Sequence, residues 1–204
     1  MIFNFTNNFT FSTRTQVNEN NVEIINQTKL LGVTITNDLK WEENTKMLVK
    51  KANSRMQLLR KVSTFTDDTN ELTNIYNLFI RSILEQSCVV WHSCLTNEDS
   101  NNLERIQKSA TRIILKEEYN TYEDALTTLN ITSLYERRLV LCVKFAKNTT
   151  EHKKLKSMFP KNENNAAMQT RDKEEYKTNM ANTERYKNSS IPFMQRILNG
   201  KIVK

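Results

Sequence analysis

The segment TNELTNIYNLFIRSILEQSCVVW, residues 69–91, decides the fold class. Its residues Leu72, Ile75, Tyr76, Phe79, Ile83, Leu84, Val90 and Trp91 recur mostly at steps of three and four, the period at which one side of an α-helix faces a core. Asp68 followed by Glu71 supplies a capping start, so one amphipathic helix is expected over residues 69–93. Working outward, Thr96-x-x-Asp99, Thr121-x-x-Asp124 and Ser133-x-x-Glu136 carry the same chemistry. In each, the hydroxyl accepts from the third backbone N–H and the acid reaches back. The apolar rows behind them predict helices ending near Lys116, Asn130 and Thr149, and Leu48, Ala52, Met56, Leu59 and Val62 predict another over 41–65.

Before Asn37 the period changes. Apolar bursts at 2–5, 9–11, 22–25 and 30–35, separated by asparagine clusters, predict three or four short strands with asparagine turns. From 159 to 190 the apolar content falls and Asn, Lys, Glu and Thr dominate, which reads as a polar linker; 191–198 returns a short amphipathic helix. The expected class is therefore mainly α. A β-hairpin or meander occupies 1–37, a helical region 38–157, the linker 158–190, and a short helix and tail 191–204, with five or more helices in the bundle.

Composition narrows the chemistry. The chain has 204 residues, 38% hydrophobic and 26% charged, with a mean hydropathy of −0.63, enough for a buried core. Its glycines, Gly32 and Gly200, stand far apart, which excludes the glycine-rich loops that cradle phosphates. Cys88, Cys94 and Cys142 form no C-x-x-C pair and leave an odd thiol, so a reducing, intracellular setting is expected. Neither a signal peptide nor an apolar run long enough to span a membrane is legible. His92 and His152 lie in no motif with a nucleophile, and Cys88-x-x-x-His92-x-Cys94 has non-standard spacing for zinc. No catalytic residue, metal site or cofactor is expected.

The charge is more informative. A total of 30 Lys+Arg against 23 Asp+Glu gives +7, and the helix over 41–65 holds Lys46, Lys50, Lys51, Arg55, Arg60 and Lys61 with no acid between Asn44 and Thr66. Solvated helix faces normally mix signs to gain i,i+4 pairs, so an acid-free helix suits phosphates. The alternative is a helical protein-interaction module whose basic face meets an acidic protein or a partner helix.

The order of motifs adds a resemblance. KLLGVTI at 29–35, then DLKW at 38–41 and KKANSRM at 50–56, resembles the "K-x-LG-x-x-I-x-x-x-L-x-W" segment and following helix of reverse transcriptases from non-LTR, jockey-like retrotransposons. YNLFIRSILEQSCVVW at 76–91, LERIQKSATRII at 103–114, YEDALTTLNITSLYERR at 122–138 and IPFMQRILN at 191–199 are similar to later segments of that family. The pattern's tyrosine after Glu85 is Gln86 here.

The resemblance implies the end of the polymerase palm, with a primer-grip-like hairpin at Leu31 and Gly32, followed by a helical thumb and connector. It further implies template–primer nucleic acid and an upstream palm domain as partners. The family's Y-A-D-D carboxylates have no counterpart: the one Asp-Asp pair, Asp67-Asp68, reads as a helix cap. Phosphoryl transfer needs a metal clamp. A catalytically incomplete fragment that holds nucleic acid, and not an enzyme in itself, is therefore the expectation.

Overall fold

The computed structural model describes residues 16–17, 20–21, 25–162 and 175–201. The strands expected at 2–5 and 9–11, and most of that at 22–25, lie outside the described residues. The chain is mainly helical, with small antiparallel β elements leading into a bundle, as the periodicities predict.

Strands β1 (Gln16–Val17) and β2 (Asn20–Asn21) pair antiparallel, as do β3 (Gln27–Leu30) and β4 (Val33–Thr36). The run 30–35, expected as one strand, contains its own turn: Leu31 and Gly32 have φ of 48° and 86°. Two consecutive positive φ values make the primed two-residue turn, whose twist matches that of the flanking strands. Val33 is buried against the bundle, and the Thr34 N–H donates to Asn44 Oδ1 at 3.1 Å, tying β4 to the first helix.

That helix, α1 (Glu42–Val62), buries Leu48, Ala52, Met56 and Leu59. The helix expected over 69–93 starts as read, with Asp68 accepting from the N–H groups of Asn70 and Glu71, but it is not continuous. Instead α2 (Thr69–Ile75) runs into a π-helical stretch, Tyr76–Arg81, and then α3 (Ser82–Leu84). The chain turns a corner at Ser87, φ 52°, before α4 (Cys88–Trp91) and a 3-10 turn at His92–Cys94. Leu72, Tyr76, Ile80, Leu84, Cys88 and Trp91 are all buried, so the apolar spacing passes through the break unchanged and conceals it. Trp91 Nε1 donates to the Gln86 carbonyl at 3.0 Å and clamps the corner.

Helices α5 (Asn97–Leu115), α6 (Tyr122–Thr128) and α7 (Leu134–Glu151) begin where the capping motifs place them. Thr96, Thr121 and Ser133 accept from the N–H groups of Asp99, Asp124 and Glu136. One core joins the β3–β4 hairpin to the helices from α1 to the start of α7. A smaller one, Cys142, Ala146, Phe159, Phe193 and Met194, forms where α9 (Ser190–Leu198), preceded by α8 (Glu184–Lys187), packs on α7. Val89 touches both clusters. Within 158–190, the described residues include buried Phe159 and an isolated antiparallel pairing of Lys161 with Tyr176. No helix among the described residues is long and apolar enough to cross a membrane.

Candidate nucleic-acid interface

The six cations singled out by the sequence all lie on α1, but not as one row. Lys46 is held by Glu42 at 2.7 Å and Glu43 at 2.9 Å, and these hydrogen bonds push its ammonium pKa up. Lys50, Lys51, Arg55, Arg60 and Lys61 make no ion pair among the described residues, and all but Lys51 are exposed. At about 100° per residue, Lys46, Lys50 and Lys61 fall within about 60° of one another and Arg60 about 40° beyond Lys46. On that same count, Lys51 and Arg55 lie about 80° and 120° beyond Lys61 in the other direction.

The neighbouring helix decides which set matters. A groove of about 810 Å³ runs between α1 and α5. It brings Trp41, Lys46, Val49 and Asn53 opposite Leu95, Asn102, Arg105 and Ile106. Early residues of one helix face early residues of the other, and Lys116, just past the end of α5, pairs with Asp67, just past the end of α1. The two helices therefore run parallel. The groove side of α1, centred between Val49 and Asn53, carries Lys46 and Arg60 and is flanked by Lys50, while Lys51 and Arg55 lie about 180° and 140° round the helix from it.

Helix α5 adds cations that the sequence reading missed, of which Arg105 lines the groove. Arg105, Lys108 and Arg112, exposed at i, i+3 and i+7, share one side within about 60°. Lys108 Nζ sits 4.9 Å from the Tyr122 ring centroid, and the Arg112 guanidinium 5.2 Å from that of Tyr119. Arg105 reaches Asn102 Oδ1 at 3.3 Å. The signal was present in the spacing. Glu98, Asp99 and Glu104 hide it when charge is counted along the chain rather than by face.

The hairpin occupies another side. Leu31 is 92% exposed at the turn, and Gly32 sits against the Gln86 side chain, where an added Cβ would collide with its Nε2. Because β4 docks on Asn44, about 160° round α1 from the groove, the primer-grip-like pair shares its side with Lys51 and Arg55. The sequence-selected residues thus divide between two faces.

The polar residues of the resembling motifs are largely interior. The Tyr76 hydroxyl donates to Gln107 Oε1 at 2.5 Å, and Gln107 Nε2 donates to Tyr122 Oη at 2.8 Å and to the Thr132 carbonyl at 2.9 Å. Tyr122 in turn donates to Glu104 Oε1, which also accepts the Leu134 N–H at 3.1 Å. Glu85 holds Arg81 at 2.8 Å and Arg137 at 3.3 Å. Fully buried Arg138 donates from Nε to His92 Nδ1 at 3.4 Å and from Nη2 to Ser100 Oγ at 3.3 Å, and lies 5.9 Å from the Trp91 ring centroid. These bonds join the helices from α2 to α7. Burial pushes the Tyr76 and Tyr122 phenols up, and burial together with the Arg138 charge lowers His92 to about 4.

The thiols and imidazoles are dispersed. Only Cys88 and Cys142 meet: their thiols hydrogen-bond where the main core and the smaller cluster adjoin, a contact that lowers the Cys88 thiol and raises that of Cys142, while Cys94 donates to the Asn188 carbonyl at 3.1 Å and His152 is exposed at the end of α7. No group of three or more His, Cys, Asp or Glu able to hold a metal is present among the described residues. No protein-family model, curated protein or solved structure matches this chain.

Proposed function

We propose that the chain binds nucleic acid through the phosphate backbone, as a thumb-like helical region similar to that of a retrotransposon reverse transcriptase and without polymerase activity of its own. The observation that carries this reading is the pair of parallel helices that expose Lys50, Arg60, Arg105 and Arg112, none in an ion pair among the described residues. Cations left without acids are available to displace the counterions of a polyanion. The order of five sequence motifs resembling that family supports the same reading. An upstream palm domain is the corresponding protein partner.

Salt titration of the full chain against a labelled mixed-sequence duplex tests it. Replacing Lys50, Arg60, Arg105 and Arg112 together by glutamine should flatten the slope of log affinity against log salt by about 3–4, roughly 0.9 per lost phosphate contact. The loss should be similar for all sequences, since phosphate contacts carry no base information. Replacing Lys51 and Arg55 should change affinity less than twofold. If the second pair proves dominant, the hairpin side is the binding face. If salt moves neither variant nor parent, the protein-interaction module is the better reading.

A further inference from the structure

We infer that the α1–α5 groove is a seat for the bases of an unpaired nucleic-acid strand, so that this chain prefers single strands over duplex. The inference rests on the backbone-binding reading and deepens it. Its starting point is the contrast between the groove's rims and its floor. Arg105 lines the groove, Lys50 flanks it, and Arg60 and Arg112 lie further along the two helices. The floor is formed by Trp41, Val49, Leu95 and Ile106, with the amides of Asn53 and Asn102 on either side. Ile106 belongs to the main core and Trp41, Val49 and Leu95 are only partly covered by it, so the last three leave apolar surface open to the groove.

Charge inside the groove points the same way. It holds Lys40, Lys46, Arg105 and Arg185 against Glu42, Glu98, Asp99 and Glu184, so the interior is balanced. Three of those acids are already engaged: Glu42 by Lys46 at 2.7 Å, Glu184 by Lys187 at 3.0 Å, and Asp99 by the Thr96 hydroxyl at 2.7 Å. A balanced interior suits an uncharged base, while the cationic rims suit the phosphates on either side of it. At about 810 Å³ the groove falls within the roughly 300–1,000 Å³ of pockets that enclose a drug-sized ligand. A duplex keeps its bases stacked inside and is wider than the roughly 8–10 Å between packed helix axes, so it would ride on the rims and leave the floor uncovered. An unpaired strand turns flat faces to Trp41 and Val49, and its base edges can exchange hydrogen bonds with both amides.

Tryptophan emission is the direct readout, because Trp91 is fully buried and Trp41 is only half-buried at the groove. A 12-nucleotide oligouridine should quench the full chain. Trp41→Phe should abolish the quench while retaining binding. The oligouridine should bind at least fivefold tighter than a 12-base-pair duplex at equal salt. Asn102→Phe and, separately, Asn53→Phe fill the groove without removing a cation, and each should erase that preference while leaving duplex affinity within twofold. Both positions are solvent-accessible, so these variants should retain the parental circular dichroism. Salt-dependent binding with duplex as tight as single strand, and no quench, overturns the inference and leaves the backbone-binding reading intact. Failure of both probes to bind at low salt overturns both together.

Discussion

His92 is the residue whose ionisation the fold opposes most plainly. Its Nδ1 accepts from Arg138, and the rings of Tyr135 and Phe193 stand edge-on at 5.2 and 6.1 Å, so a proton there would meet a buried guanidinium and two apolar walls. The folded pKa, about 4, lies below the ordinary 6.5. The neutral form is therefore favoured by folding: the contribution is complete above pH 6.5 and is lost as pH falls from 6.5 toward 4. Two and a half units correspond to roughly 3 kcal/mol. Urea unfolding at steps from pH 7 to 4 should show His92→Gln losing less stability than the parent, because glutamine still accepts from Arg138 but does not titrate. A second residue-scale expectation concerns Ser87, held at φ 52° in the α3–α4 corner. Ser87→Gly should stabilise the chain by about 0.5–1 kcal/mol by relieving the left-handed backbone, seen as a higher denaturation midpoint.

At the scale of elements, the three capping motifs are the most legible feature, because a cap is a local event: hydroxyl, acid and N–H lie within four residues. Thr121→Ala should cost about 1 kcal/mol and loosen α6, read by amide exchange at 122–128. Two other features were not legible, for physical reasons. The corner after α3 preserves the burial of Leu84, Cys88 and Trp91, so the pattern of apolar steps registers no interruption. The turn at Leu31 and Gly32 interrupts an apolar run whose leucine gives no sign of a positive φ, so the pattern hides it and only the resemblance places a hairpin there. The second basic rim was unread for another reason. Whether Arg105 and Arg112 join Lys50 and Arg60 depends on α1 and α5 running parallel, and helix pairing is not a property of either segment alone.

At the scale of the whole molecule, the two cores differ in size and meet through Val89, with α9 closing the smaller one. Amide exchange should therefore find 190–198 opening at lower free energy than α5, whose inner side lies in the larger core. A uniform exchange profile across both helices would show one cooperative unit instead. This arrangement links cooperativity to acid response. Phe193 is both a member of the smaller core and the ring set against His92, so detachment of α9 removes one wall of the imidazole's enclosure. Protonation then no longer requires global unfolding, only the release of the last helix. The acid-induced transition should begin with the C-terminal segment leaving a still-folded bundle.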